Sequence, residues 1–196
     1  MASEVDIINS ALNMLGASNI ISRGEDSKSA RITNQRYDYV RDAVLRAHPW
    51  NCAIKRVTLA ADSDSPTFGF TNQFTLPTDP YCLRVLRLEY LDVDFRVEGR
   101  KIHCDEDTLN LIYIARVMDP NEYDQSLVEA IAARLAADTS YALVQSTSLT
   151  GAMYQLYDNK LSEARFIDAT EGTPGALNNV TASGSIQADL LVNSRL

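Results

Sequence analysis

Residues 48–53 read His48-Pro49-Trp50-Asn51-Cys52-Ala53, and the fold turns on this stretch. Pro49 biases His48 away from the helical region, so a helix arriving from the N-terminal side stops there. Residues 53–60 follow, short and β-branched, with Ile54, Val57 and Thr58, a composition that suits a pleated surface. The chain passes from helix to strand within a few residues, and its single tryptophan, Trp50, stands at the passage. A buried anchor at a helix–sheet junction is the first meaning of such a residue. A contact between subunits is the second.

Working back from Pro49, the spacing predicts a second helix from Asp26 or Ser27, both good N-caps, to about Ala47. That is roughly 30 Å at 1.5 Å per residue. Tyr37, Val40, Val44 and Ala47 form its apolar stripe. Arg31, Arg36, Asp38, Arg41, Asp42 and Arg46 fill much of the rest. A first helix begins near Ser3. Val5, Ile8, Leu12 and Leu15 share one helical face, and Gly16 closes it as a left-handed cap.

Working forward, short strands are expected over 53–60, 73–76, 82–90, 95–97, 101–104 and 109–117. Leu86, Leu88 and Tyr90 alternate, as do Leu109, Leu111 and Tyr113. Glu98-Gly99-Arg100 is a hairpin turn. Asp119-Pro120 ends this block. A third helix is expected from Asp124 or Gln125 to Gln145, with a narrow face of Val128, Ile131, Leu135, Ala142 and neighbouring alanines. Those alanines, Ala132, Ala133, Ala136 and Ala137, let another helix approach closely. A fourth, over 148–169, carries Met153, Leu156, Tyr157, Leu161, Ala164 and Ile167 on its stripe.

The order predicts an α+β chain. Residues 1–50 and 119–170 form a four-helix bundle. Residues 51–118 form a small antiparallel β subdomain, a sheet or sandwich, inserted between helices 2 and 3. Residues 171–196 form an extended C-terminal tail. That tail holds Gly172, Pro174, Gly175 and Gly184 and no aromatic residue, so alone it cannot offset its ordering entropy. Its end carries Ile186, Leu190, Leu191, Val192 and Leu196, the pattern of a tether that folds on a partner.

The formal net charge of −8 opposes any wrapping of nucleic acid, which runs on phosphate neutralisation, and any docking on anionic membranes. An acidic wall that repels DNA suits a conduit that does not grip its cargo. No stretch approaches the roughly 20 apolar residues of a membrane span, and the opening lacks the basic and apolar regions of a signal peptide. Three cysteines without CxxC spacing fit a reducing compartment.

No nucleotide-binding or hydrolase motif stands in the sequence, and His48 and His103 are its two histidines. Cys52, Cys82 and Cys104 with His103 lack zinc-ligand spacing. His103 and Cys104 alternate on one strand and point apart. A nucleophilic pair of Cys52 or Cys104 with either histidine lacks a third group to orient it. Asp105-Glu106-Asp107, near Asp92 and Asp94, offers carboxylates for a divalent ion or for glycoside hydrolysis; a solvated hairpin loop is the simpler meaning. Arg23, Arg31, Arg36, Arg41 and Arg46, interleaved with Glu25, Asp26, Asp38 and Asp42, suggest ion pairs across the helix surface or between subunits. No catalytic residue, metal ligand or cofactor is assigned.

Three motifs, in order and spacing, carry a resemblance. The first is the opening, Val5-Asp6-Ile7-Ile8-Asn9-Ser10-Ala11-Leu12-Asn13-Met14-Leu15-Gly16, before an Arg-rich helix. The second is His48-Pro49-Trp50-Asn51-Cys52-Ala53, with Leu76-Pro77 and Leu83-Arg84-Val85-Leu86 beyond it. The third is Asp119-Pro120 followed by Leu127-Val128-Glu129-Ala130-Ile131-Ala132-Ala133-Arg134-Leu135-Ala136. Over about residues 3–170 the chain resembles the tail tubular protein A family, the head-to-tail adaptor subunits of tailed bacteriophages.

The resemblance implies a structural protein rather than an enzyme. It implies a dodecameric ring of identical copies at the head–tail junction of a virion, assembled in the host cytoplasm. The bundle would sit near the portal protein. The β subdomain would face a tail nozzle subunit like tubular protein B. Viral DNA would pass through the channel without sequence-specific binding, and no membrane is involved. On this footing Arg36, Asp38, Arg41, Asp42, Arg46 and Trp50 are expected at the subunit interface. Phe95, Val97 and Arg100 are expected to face the nozzle, and Ile186, Leu190, Leu191, Val192 and Leu196 to bind the portal. A connector or stopper ring of a long-tailed phage is the neighbouring alternative. A small cell-wall hydrolase using the loop 105–107 is the remote one.

Overall fold

The computed structural model describes residues 2–90 and 92–171. Helix α1 (Glu4–Met14) opens with a reciprocal cap. The Ser3 hydroxyl accepts from the Asp6 N–H at 3.1 Å, and the Asp6 carboxylate accepts from the Ser3 N–H at 2.9 Å. It closes with Ala17 N–H donating to Leu12 C=O and Gly16 N–H to Asn13 C=O, a Schellman arrangement that needs Gly16 at φ +66°. Helix α2 (Lys28–Ala47) starts on the Ser27 hydroxyl and ends at an extended His48, where Pro49 forbids continuation. A single 3₁₀ turn, Asn51–Ala53, then carries the chain into the sheets.

Six strands follow: β1 (Ile54–Ala60), β2 (Asn72–Thr75), β3 (Cys82–Leu88), β4 (Arg96–Glu98), β5 (Lys101–Cys104) and β6 (Thr108–Ala115). They form two three-stranded antiparallel sheets, in the orders β1-β6-β3 and β2-β5-β4. Phe74, Ile102 and Cys104 of one sheet meet Leu88, Leu109, Leu111 and Tyr113 of the other in a shared core, so the block is a small sandwich. The β4–β5 turn has positive φ at Gly99 alone, +60°, as a two-residue II′ hairpin requires. The register sets a direction. Ile54 pairs Ile114 next to the helices, whereas Ala60 pairs Thr108 at the far end. The eight residues of β6 span about 25 Å between those ends.

Helices α3 (Gln125–Val144) and α4 (Thr147–Thr170) complete the described chain, so the fold is mixed α+β with four helices and two small antiparallel sheets. The narrow apolar face expected for α3 is corrected. It packs against α1, α2 and α4, and Leu127, Ala130, Ile131, Ala132, Ala133, Leu135 and Ala136 are all fully buried. With Leu127 and Ala130 buried beside the expected alanines, the apolar surface is broad, and small side chains let partners approach on several sides. One core joins all four helices and runs on into the β block through Trp50, Leu83, Ile114 and Val117. No described helix is long and apolar enough to cross a membrane. The expected portal-binding residues Ile186, Leu190, Leu191, Val192 and Leu196 lie outside the described residues.

Candidate functional site

The α2 helix and the β block meet at a joint built from charged groups around an apolar pin. Trp50, 1% exposed, donates its indole N–H to the Val44 carbonyl at 3.0 Å. Asp42 reaches Arg116, just past the end of β6, at 2.5 Å. It also accepts from Arg41 at 2.9 Å. Arg46 donates to the Leu83 carbonyl on β3. On the other side, Asp168 near the end of α4 accepts from the Asn51 N–H at 2.9 Å and lies 3.1 Å from His48 Nε2. Asn51 Nδ2 donates to the Asp168 carbonyl at 2.8 Å. Helices α2 and α4 are therefore both tied to the entrance of the β block.

Beside the joint lies a cleft of about 580 Å³ lined by Arg46, Arg84, Arg100, Arg116 and Tyr81. Tyr81 carries the Arg100 guanidinium at 4.0 Å and the Arg116 guanidinium at 4.5 Å from its ring centre, cation–π contacts that order both side chains. Arg100 also donates to the carbonyls of Cys82 and Pro77 at 2.9 and 2.7 Å.

These positions correct part of the expected contact set. Arg41 and Trp50 are 2% and 1% exposed, so neither side chain is open to a neighbouring subunit. Arg41 turns inward because it stands four residues after Tyr37, on the buried face, with Asp38 and Asp42 there to neutralise it. Arg100, expected to face the nozzle, lies at the helix-proximal end of the block and bonds into the joint. Phe95 packs on the sandwich core, while Val97 remains 46% exposed on the edge strand. Arg36 is on the surface and pairs within the chain with Asp138 at 2.5 Å. Asp38 accepts from Arg41 and Arg23, and Arg23 also reaches Glu4. Asp42 and Arg46 are part of the joint.

The far end of the block carries different chemistry. Asp105 accepts from the Thr71 N–H and hydroxyl at 2.8 and 3.0 Å, and Asn72 donates to the Glu106 carbonyl. The loop 105–107 is thereby fastened to the start of β2. Phe68, 87% exposed, projects nearby from the β1–β2 connection.

Burial pushes the Cys82 and Cys104 thiols up. Burial, then the Asp168 charge, pushes Cys52 up to about 11. A protonated thiol is a poor nucleophile, so none of the three is activated. His103 is half-buried on β5 and 4.0 Å from Glu98, while Cys104 points into the core. The strand separates the two, as its alternation requires. Among the described residues no group of three His, Cys, Asp or Glu could hold a metal ion.

Arg116, Asp168, Tyr81 and Arg84 were not singled out from the sequence as functional residues. Arg116 follows β6 between two apolar residues, an isolated cation that could have drawn notice. Asp168 looks like any solvated helix acid, and only the fold brings it to Asn51. Comparison of the sequence with protein-family models and with curated proteins finds no match.

Proposed function

We propose that this chain is a head-to-tail adaptor subunit of a tailed bacteriophage, working as one copy in a ring around the DNA exit channel. The four helices act as a bundle, residues 1–50 and 119–170, and residues 51–118 act as a subdomain inserted in it. The bundle sits on the portal side, and the β block extends toward the tail. Residues 171–196 reach the portal.

The observation that carries this reading is the joint. Asp42–Arg116, Arg46–Leu83 and Asp168–Asn51 lock two unlike parts together, and the apolar core, Trp50 included, runs through from one to the other. An adaptor must hold two different partners at a fixed distance, and a stiff two-ended body does this. The order of elements, helix pair, β block, helix pair, is also that of the family the sequence resembles.

Deleting residues 171–196 tests the portal side. The truncated chain is expected to keep its fold by circular dichroism and to lose portal binding; normal binding by the truncated chain refutes the assignment of the tail. Images of intact particles separate a short-tailed adaptor from a long-tailed connector ring. In the hydrolase alternative Asp105 would be a catalytic carboxylate; its hydrogen bonds to Thr71 give it a loop-closing task instead.

A further inference from the structure

Two anchors fix how α2 and α4 lie beside α3. The Asp138 carboxylate on α3 holds Arg36 of α2 at 2.5 Å and the Tyr154 hydroxyl of α4 at 3.0 Å. Asp168 of α4 meets His48, the cap of α2, at 3.1 Å. Residues 36–48 and 154–168 therefore run in the same direction over nearly the same length. Tyr39 stands level with Asp158, Ala43 with Ser162, and Arg46 with Phe166. Both helices pack against α3 and not extensively against each other, so each keeps an outward flank.

Those flanks are unlike and complementary. On α2 the exposed stripe is Gln35, Tyr39, Ala43 and Arg46, and on α4 it is Gln155, Asn159, Ser162 and Phe166. Each has one protruding aromatic, Tyr39 at 71% and Phe166 at 72% exposure. Ala43 and Ser162 are small enough for close helix approach. Beside the α2 stripe, Arg46 and Arg84 bond to main-chain carbonyls, and among the described residues no carboxylate pairs with either. Beside the α4 stripe, Asp158 has no cation partner among the described residues, and Glu163 has one only at 4.0 Å.

We propose that the α2 flank, Tyr39, Ala43 and Arg46 with Arg84 beside them, receives the α4 flank, Asp158, Ser162, Glu163 and Phe166, of a second copy. The proposal rests on the ring reading and gives the ring its lateral contact. With α2 and α4 set along the ring axis, rotation about that axis keeps every residue at its own height. Positions that are level within one copy thus stay level with their counterparts in the next, and the stripes meet in register. Because the two surfaces differ, the contact is heterologous and can close into a ring rather than stop at a pair. The charges steer and align it, and added salt weakens it.

The full-length chain tests this. Sedimentation up to about 1 mM, the range of weak lateral contacts, measures self-association. The double variant Ala43→Cys with Ser162→Cys, treated with a short bis-maleimide, should give a ladder of multimers linked 43 to 162. Mixing the two single variants should give dimers only, and each alone should give none. Arg84→Glu or Glu163→Lys should each weaken association about tenfold, and combining them should restore most of it. A cross-linked dimer from Ser162→Cys alone would overturn the contact. So would assembly that ignores the charge reversals, or links that form elsewhere; either leaves the ring standing. A chain that stays monomeric at the highest concentration also overturns the contact; the ring itself is tested separately, by locating the chain in the intact particle.

Discussion

The Asp42 carboxylate meets the Arg116 guanidinium at 2.5 Å, joining the C-terminal turns of one helix to the exit of a strand far along the chain. The same carboxylate neutralises Arg41, whose side chain is 3% exposed. Asp42→Ala leaves that cation to Asp38 alone. A stability loss of about 3 kcal/mol is expected, the usual result of breaking a buried pair from one side. Urea unfolding checks it. The coupling to Arg116, tested in a cycle with Arg116→Met, should be smaller, about 1 kcal/mol, because that side chain is a third exposed.

Trp50 fills the space between the helices and the β block. Trp50→Ala should cost about 3–5 kcal/mol through the cavity left behind. Trp50→Phe should cost less, since much of the packing survives although the Val44 carbonyl loses its donor. Denaturant midpoints rank the two, and equal losses would mean that the indole hydrogen bond, not the volume, dominates.

Local signals made the element order legible. Ser3, Ser27 and Asp124 cap helices as their side chains suggest, Pro49 ends α2, and Gly99 turns the hairpin. Strand ends shifted by a residue or two, as at Leu88, where the expected strand ran on to Tyr90. What depends on distant partners was not legible. Nothing local marks Asp168 as the residue that receives Asn51, or Arg116 as the partner of Asp42. Arg41 was misplaced because an arginine on a charged helix reads as solvated, although its spacing from Tyr37 and Val44 puts it on the buried face. Nor does a hairpin turn such as 98–100 say which end of the sandwich it occupies; only the register puts Arg100 at the helix-proximal end.

Acid should loosen the helix starts. A hydrogen bond from the Ser3 hydroxyl holds the Asp6 carboxyl below the usual range, and one from the Ser126 hydroxyl does the same for Asp124. A depressed carboxylate contributes stability that is fully present above its unfolded value, about 4, and lost as pH falls through the folded one. Melting temperature should hold steady from pH 7 to about 5 and drop below about 4. Asp124→Asn should melt lower at neutral pH and show a shallower acid slope; an unchanged slope would remove Asp124 from the account.

With Cys52 pushed up to about 11 by burial and the Asp168 charge, its thiol stays protonated at neutral pH. Alkylation in the folded protein should run far slower than in urea, for Cys52 as for the buried Cys82 and Cys104. Asp168→Asn should speed Cys52 labelling and leave the other two unchanged. Rapid native labelling of Cys52 would contradict the packing at the joint.

The most direct measurement is electron microscopy of the intact particle with this chain located in the density. The account predicts a closed ring of copies between the capsid vertex and the tail, helices toward the vertex and the Phe68 end of the β block toward the tail. Finding the chain elsewhere in the virion, or outside the virion altogether, would contradict it.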